Sequence, residues 1–188
     1  AVLEEEISQI LSLEFGKRRG IYYDILLAIA KGNTRISEIS SFLRKKETAL
    51  TRQLNELVHY FELVGVEKSV FGKKKLIYIK HPLINFWFRF FYGELSSYKR
   101  RENWHREKVL KEINSYIGRR FEEVCKEIIK SKNIIEFDLI GRQWGKFKGE
   151  KGKNTYEIDI IALNEKKKEI LFGECKWEEN VNPYTIFN

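Results

Sequence analysis

The sequence predicts an α+β protein of two parts, with three helices and a β-hairpin first and a helix with further β-strands second. Three observations support this class. Residues 20–58 carry apolar side chains at helical spacing in three short runs. Residues 63–80 contain two β-rich runs joined by a glycine-containing turn. Residues 108–177 show one long helical pattern and then β-like runs, of which the middle one alternates as a half-buried strand does.

The three short helices are predicted at residues 21–30, 36–43 and 48–58. Gly32 lies just after the first helix and is a common helix C-terminal signal. Residues 44–46 interrupt the apolar periodicity between the second and third helices. A short second helix, a tight turn and an amphipathic third helix are typical of a helix-turn-helix.

The β-rich runs, residues 63–71 and 75–80, directly follow the third helix, and Gly72 and two lysines form the turn. A lysine-tipped hairpin at this place is a wing, so residues 20–82 predict a winged helix-turn-helix, a module that lies against duplex DNA. The residues expected to face DNA are Lys46, Thr48, Thr51, Arg52, Asn55, Lys73, Lys74 and Lys75. The simpler alternative to DNA contact is that each of these residues lies on an ordinary solvated face. A second alternative is that the module binds protein, as some winged helices do.

The charge distribution favours a polyanionic partner in the first part of the chain. The net charge is +8, and residues 1–100 carry 17 Lys and Arg against 11 Asp and Glu, a net +6. The other residues carry 18 against 16, a net +2. No apolar run approaches the ~20 residues of a membrane span, and the first residues lack a basic signal-peptide region. The sequence therefore predicts a cytoplasmic protein with no membrane partner and leaves the oligomeric state open.

Between the two parts, residues 83–98 predict an aromatic helix that packs between modules, and residues 99–103 predict a charged linker. The predicted domains are residues 1–82, a connection at 83–107, and 108–188. Cys125 and Cys175 stand apart from any C-x-x-C pattern, which favours buried packing residues over a zinc site or a disulfide.

The second part begins with a helix at residues 108–130. If Phe121 is set at zero on its apolar stripe, Glu122 lies near 100° and Glu123 near 200°, at ~100° per residue. Glu122 is therefore expected to look toward neighbouring strands, while Glu123 is expected in solvent.

Strands are predicted at residues 133–140, 155–163 and 169–177, the last two paired as a hairpin. Alternation places Glu157 and Asp159 on one face of the middle strand, and Glu174 and Lys176 on one face of the last. Carboxylates among apolar strand residues need a balancing charge. A divalent cation held by Asp159 and Glu174 supplies one, and Lys176 would then orient a water or stabilise charge on a phosphate.

Asp159 followed by Glu174-Cys175-Lys176 resembles the D…(D/E)-x-K signature of the PD-(D/E)xK nuclease superfamily, whose first core helix is similar to the segment around Glu122. More narrowly, the chain resembles the C-terminal half of the archaeal ATPase family over nearly its whole length. That resemblance rests on the helix-turn-helix and on the segments HPLINFWFRF (81–90), FEE (121–123), EIDIIA (157–162) and LFGECKW (171–177).

The resemblance implies a small α/β PD-(D/E)xK nuclease-like domain, Mg2+ or Mn2+ as cofactor, and catalytic roles for Glu122, Asp159, Glu174 and Lys176. It also implies an upstream P-loop ATPase domain, although no G-x-x-x-x-G-K-[ST] and hence no ATP site occurs in this chain. The superfamily fold requires a further helix and strand after Lys176, so the nuclease-like domain is expected to be truncated.

Two functions of different classes follow. One is the DNA-binding C-terminal region of an archaeal-type P-loop ATPase with a metal-dependent DNA endonuclease-like domain. The alternative is a non-catalytic DNA- or protein-binding module, in which a degenerate nuclease fold serves as scaffold and its charged residues form a structural ion-pair cluster.

Overall fold

A mixture of helices and two small antiparallel sheets makes this an α+β protein, as the sequence predicts. The structure is a computed structural model that describes residues 2–16, 19–147, 154–182 and 184. Residues 185–188, the end of the predicted second domain, lie outside the described residues. The chain divides into two compact units: unit 1 contains residues 1–67 and 75–109, and unit 2 contains residues 68–74 and 110–188.

Unit 1 is mainly helical. Its elements are α1 (Val2–Phe15), α2 (Arg19–Ala30), α3 (Ile36–Leu43), α4 (Glu47–His59), β1 (Val64–Lys68), β2 (Lys75–Ile79), α5 (Pro82–Phe90), a 3-10 turn (Tyr92–Glu94) and α6 (Leu95–Lys99). Helices α2 to α4 and strand β2 begin and end within two residues of their predicted positions. Strand β1 is shorter than predicted at both ends. Helix α1 precedes them and is not predicted from the sequence.

Both ends of α3 are capped, and the cap at its end makes the turn to α4 tight. At the start, the Glu38 carboxylate accepts hydrogen bonds from the backbone N–H groups of Thr34 (2.9 Å) and Arg35 (3.1 Å). At the end, Arg44 adopts the left-handed conformation with φ 53°, and its N–H bonds back to Ser41. This reversal ends α3 after eight residues and allows α4 to begin at Glu47.

The core of unit 1 lies where α2 meets the other helices. Leu50, Leu54 and Leu57 are buried on the inward face of α4, as the predicted stripe requires. The hairpin is attached to the same helices, since the N–H of Ile77 in β2 donates to the carbonyl of Thr34 at 2.7 Å. Unit 1 therefore holds α3, α4 and the β-strands in one packed arrangement.

The predicted aromatic helix at residues 83–98 is wrong in two respects. It is divided into α5, the 3-10 turn and α6, and α5 ends where Phe91 leaves helical geometry. Its large rings pack inside unit 1: Trp87 and Phe88 belong to the core, and the Phe88 ring contacts Tyr23 at 5.5 Å between centroids. At Trp87 and Phe88 the aromatic density therefore reflects packing in the core of unit 1.

Unit 2 contains most of α7 (Asn103–Ser131) and a sheet of β3 (Leu139–Lys146), β4 (Thr155–Asn164) and β5 (Glu169–Gly173), in the antiparallel order β3-β4-β5. The β4–β5 hairpin is confirmed. The strand predicted at residues 133–140 is wrong, because Asn133 takes a turn conformation with φ 49° and β3 begins only at Leu139. No described helix is both long and apolar enough to cross a membrane.

Candidate nucleic-acid interface and candidate metal centre

The outward face of α4 in unit 1 is polar. Every side chain predicted to contact DNA from this helix and its N-cap is exposed: Lys46, Thr48, Thr51, Arg52 and Asn55. They alternate with the buried leucines because α4 is amphipathic, and the basic residues Arg44 and Lys45 precede them in the turn. An open depression beside this face is lined by Thr48, Thr51, Arg52, Asn55, Glu56, His59 and Tyr60.

Arg52 is the basic side chain near the centre of this face. Its Nε lies 3.1 Å from Oε1 of Glu56, one helical turn away, and the exposed fractions of the two side chains are 76% and 24%. The hydroxyl of Tyr22, a fully buried residue of α2, donates a hydrogen bond to Oε2 of the same Glu56. No sequence signal pointed to Glu56 or Tyr22, since nothing in the spacing links residues 34 positions apart.

The loop between β1 and β2 belongs to unit 2 and packs against its sheet. Ser69 N–H donates to the Lys74 carbonyl (3.0 Å) and closes the loop, and Gly72 supports the turn with φ 124°. The N–H of Val70 donates to the carbonyl of Arg142 in β3 at 3.0 Å, and the N–H of Phe71 donates to Oε1 of Gln143 at 2.8 Å. The loop is therefore anchored through its backbone, which the sequence did not predict. The side chains of Lys73 and Lys74, and of Lys75 at the start of β2, are exposed.

Asp159 lies in an irregular part of β4. The register with β3 shifts between Gly141 and Gln143, so that Asp159 and Ile160 of β4 together stand opposite Arg142 alone. The strict alternation assumed from the sequence is therefore interrupted within this strand. A β-bulge of this kind locally increases the twist and redirects side chains.

The last predicted strand ends early, at Gly173, so Glu174 and Lys176 are not placed on one face by strand alternation. They still meet, because Lys176 Nζ lies 2.5 Å from Oε1 of Glu174. The register of β4 with β5 ends with Ile160 opposite Gly173, and just beyond this pair the N–H of Cys175 donates to Oδ2 of Asp159 at 2.9 Å. A backbone hydrogen bond thus joins the two halves of the D…(D/E)-x-K pattern.

Glu122 on α7 faces this sheet. The exposed fraction of its side chain is 13%, against 53% for Glu123, in agreement with the predicted helix phase. Arg142 lies between two carboxylates: its Nε is 3.5 Å from Glu122 Oε2, and a terminal nitrogen binds Glu157. Arg142 was not singled out in the sequence, because only the fold brings β3 against α7.

These side chains form a carboxylate cluster, defined here as Glu122, Glu157, Asp159 and Glu174 with Arg142 and Lys176. Burial raises the pKa of Glu122 to about 7; Arg142 opposes this rise, and Asp159 adds to it. Burial also raises the pKa of Asp159. The hydrogen bond from Cys175 lowers this pKa, whereas repulsion from Glu174 raises it further. The hydrogen bond to Glu174 raises the pKa of Lys176. Four carboxylates face two cations, so the cluster has an excess of negative charge when every carboxylate is ionised.

The donor chemistry of the cluster fits Mg2+ or Mn2+, with one restriction. Carboxylate oxygens are the hard ligands that these ions prefer, and Mg2+ commonly binds one or two carboxylates and keeps its other ligands as water. Among the described residues, no three His, Cys, Asp or Glu side chains are grouped closely enough to ligate one ion. The pair Asp159 and Glu174 therefore suits a largely hydrated ion and not a protein-enclosed one.

The two cysteines are closer than their sequence positions suggested. Both are half-buried, and the Cys175 thiol makes a hydrogen-bond contact with the Cys125 thiol. Burial first, and then this contact, raise the pKa of Cys175 to about 12. Both thiols are free but half-buried, less buried than predicted, and α7 and the segment after β5 bring them together beside Asp159 and Glu122.

Comparison with known proteins places the second part of the chain in a family. The model of DUF234, described as archaeal and bacterial proteins of unknown function, matches residues 87–185. The chain belongs to the DUF234 family. An uncharacterized protein of Methanocaldococcus jannaschii is 35% identical over 185 residues, which are 94% of this chain and 40% of that relative. No solved structure matches the chain.

The DUF234 match covers all the residues of the carboxylate cluster but does not include α2 to α4 and the β1–β2 hairpin. The relative, in contrast, aligns with nearly the whole chain. The chain spans less than half of that relative's length, so any activity of the whole protein is a matter for proposal.

Proposed function

We propose that this chain is the DNA-binding C-terminal region of an archaeal-type P-loop ATPase and carries a metal-dependent DNA endonuclease-like domain. The observation that carries the proposal is the exposed polar face of α4, preceded by a basic turn and followed by a lysine-bearing hairpin. We infer that α2 to α4 with β1 and β2 form a winged helix-turn-helix. In such modules the helix after the turn enters the major groove of duplex DNA.

The distribution of charge supports duplex DNA as the ligand. Lys45 and Lys46 lie at the start of α4, where backbone N–H groups also favour phosphate. Lys73 and Lys74 extend from a loop whose backbone is fixed by Val70. Basic side chains on this fixed backbone would contact DNA phosphates, while the neutral polar residues of α4 would contact base edges.

The carboxylate cluster supports a nuclease-like role for unit 2. Asp159 and Glu174 would hold the divalent cation, which lowers the pKa of bound water and polarises a phosphate when it is present. Glu122 is mostly buried beside them and, with a pKa of about 7, can accept or release a proton at neutral pH. Lys176, held by Glu174, would stabilise negative charge on a phosphate oxygen.

The ATPase domain is proposed for a longer protein. This chain aligns with only 40% of the Methanocaldococcus jannaschii relative, and the resemblance to the archaeal ATPase family implies a P-loop domain before the helix-turn-helix. The chain itself contains no P-loop sequence. ATP hydrolysis is therefore not expected from the chain alone.

One observation favours the second candidate, a binding module whose nuclease fold is a scaffold. Arg142 already pairs with Glu122 and Glu157, and Lys176 already pairs with Glu174. Internal ion pairs of this kind stabilise a fold without a metal. In that case the chain binds DNA or a protein but cleaves nothing.

A paired assay separates the candidates. Anisotropy of a short fluorescent duplex measures binding, and nicking of supercoiled plasmid in Mg2+ or Mn2+ measures cleavage by wild type and by Asp159→Ala. The proposal expects both variants to bind and only wild type to nick. Binding without metal-dependent nicking supports the scaffold candidate, and absence of binding at low salt overturns the DNA-binding assignment.

A further inference from the structure

Arg52 is exposed, yet its position is controlled from the protein core. Its Nε is bound to Oε1 of Glu56, and the other carboxylate oxygen accepts the hydroxyl hydrogen of Tyr22. Tyr22 itself is fully buried, and its ring packs against Phe15 (4.7 Å between centroids) and Phe61 (5.3 Å). We call this series of contacts the Tyr22–Glu56–Arg52 relay.

The relay differs from an ordinary surface ion pair. An exposed Arg–Glu pair one turn apart on a helix is weak, and both side chains keep most of their rotamer freedom. Here the carboxylate is fixed by a buried phenol, so Glu56 can hold the guanidinium in one direction. A fixed guanidinium loses less conformational entropy when it meets a ligand.

The direction of the guanidinium determines what it can bind. Because Nε is used by Glu56, the two terminal nitrogens remain as donors for a ligand. They form a planar fork that fits two acceptors side by side, such as O6 and N7 of guanine in the major groove. Phosphate also accepts such a fork, but the Glu56 carboxylate next to it is 24% exposed and repels a phosphate more than a neutral base edge.

We propose that Arg52, positioned by Glu56 and Tyr22, reads a guanine in the major groove of duplex DNA. This rests on the proposed DNA-binding function and adds the base that the module selects. Thr48 and Asn55 lie on the same exposed face, one turn before and one turn after Arg52, so the guanine lies near the centre of the contacted site.

The test begins with selection of duplexes from a randomised pool by the wild-type chain. Each guanine of the selected site is then replaced by 7-deazaguanine, which lacks the N7 acceptor, and binding is measured by anisotropy. One position is expected to weaken wild-type binding by part of the roughly 5- to 150-fold that a whole bidentate base contact is worth, because one of its two acceptors is lost. At that position Arg52→Ala is expected to bind the two duplexes equally.

Two further variants distinguish recognition of a guanine by Arg52 from simple electrostatic attraction to the DNA backbone. Arg52→Lys keeps the charge but loses the planar fork and the Nε contact with Glu56, so it should retain the wild-type salt dependence and discriminate guanine less strongly than wild type does. Tyr22→Phe keeps the buried ring and removes the hydroxyl, so discrimination should fall while binding to unselected duplex is unchanged. Arg35→Ala is the matched control, because Arg35 pairs with Glu38 on α3, a carboxylate that the backbone of Thr34 holds in place.

The outcomes are distinct. If wild type binds duplexes without base preference, or if Arg52→Ala keeps the wild-type guanine discrimination or Arg52→Lys keeps it undiminished, the inference is overturned while the DNA-binding function stands. If Tyr22→Phe melts far below wild type, loss of structure would explain its loss of discrimination. The discrimination measured with Arg52→Lys then tests the inference without it. If wild type binds no duplex at low salt, the proposed function and the inference fall together.

Discussion

Arg142 compensates the negative charge of two residues in the carboxylate cluster of unit 2. It stands opposite the irregular Asp159–Ile160 step of β4, and its guanidinium lies between Glu122 and Glu157. Removal of one partner from a mostly buried ion pair leaves an uncompensated charge. The side chain therefore stabilises the carboxylates in the metal-free state, whichever function the cluster has.

Glu122 is expected to make stability depend on pH. Its pKa is about 7 in the folded chain and near 4.5 when unfolded. The folded state therefore binds the proton more tightly, and the stability it contributes is present below pH 4.5 and is lost as pH rises toward 7. The loss should reach up to about 3 kcal/mol, at ~1.4 kcal/mol per pKa unit.

Urea unfolding of metal-free protein at pH values from about 4.5 to about 7.5 measures this loss. Glu122→Gln cannot ionise, so its stability should fall less than that of wild type across the same interval. Glu123→Gln, on the exposed side of α7, is the matched control and should follow wild type. Parallel curves for wild type and Glu122→Gln would contradict the prediction.

Asp159→Ala distinguishes a metal ligand from a structural ion-pair partner. As a ligand, Asp159 is costly to bury and is repelled by Glu174 in the apo protein, which offsets the hydrogen bond that it accepts from Cys175, so the variant should melt close to the wild-type temperature and gain nothing from Mg2+ or Mn2+. Wild type should be stabilised by the metal.

A structural ion-pair role gives the opposite result for the same variant. Lys176 would lose a nearby carboxylate, and the variant should melt below wild type, with a cost smaller than the about 3–5 kcal/mol of a fully buried pair because the Lys176 side chain is 38% exposed. Thermal melting of both proteins with and without metal decides between the roles. Wild type that gains nothing from metal, together with a variant that melts lower, would rule out the metal site.

At the scale of elements, the β1–β2 loop combines an anchored backbone with exposed cations. Hydrogen bonds from Val70 and Phe71 fix its path, whereas Lys73 and Lys74 project into solvent. Lysine contacts to phosphate carry no sequence information. The loop is therefore expected to contribute affinity and not selectivity.

The double variant Lys73→Ala/Lys74→Ala should weaken binding to all duplexes alike. It should also reduce the slope of log affinity against log salt by about 2, since each lysine that neutralises a phosphate contributes roughly 1 to that slope. Anisotropy titrations at several KCl concentrations measure both quantities. Lys132→Ala/Lys166→Ala removes two exposed lysines elsewhere in unit 2 and should leave the slope unchanged. If the slope of Lys73→Ala/Lys74→Ala equals that of wild type, the β1–β2 loop does not contact DNA phosphates.

At the scale of the whole chain, the net charge of +8 and its concentration in residues 1–100 predict binding dominated by counterion release. Affinity for duplex DNA should fall more than about tenfold between roughly 50 and 200 mM KCl. Anisotropy titrations of the wild-type chain at several KCl concentrations measure this fall in affinity. Affinity that is constant over this range would indicate that the partner is not a polyanion.

Periodicity was sufficient for α2 to α4, for α7 and for the two hairpins, because these elements depend on local preferences. The capped turn at Arg44 determines where α3 ends, and the spacing of the buried leucines determines which face of α4 packs inward. The phase of α7 likewise separated Glu122 from Glu123. In the same way, the turn after Asn164 indicated the β4–β5 pairing.

The position of β3, the division of the aromatic helix and the contacts of the candidate sites were decided by tertiary structure. The bulge opposite Arg142, the approach of Cys125 to Cys175 and the hydrogen bond from Tyr22 to Glu56 join residues that are far apart in the chain. Local preference cannot specify such contacts, because their free energy comes from burial and electrostatics that exist only after the chain has packed. The sequence by itself determined which residues could serve each site, and the packed fold decided which of them meet.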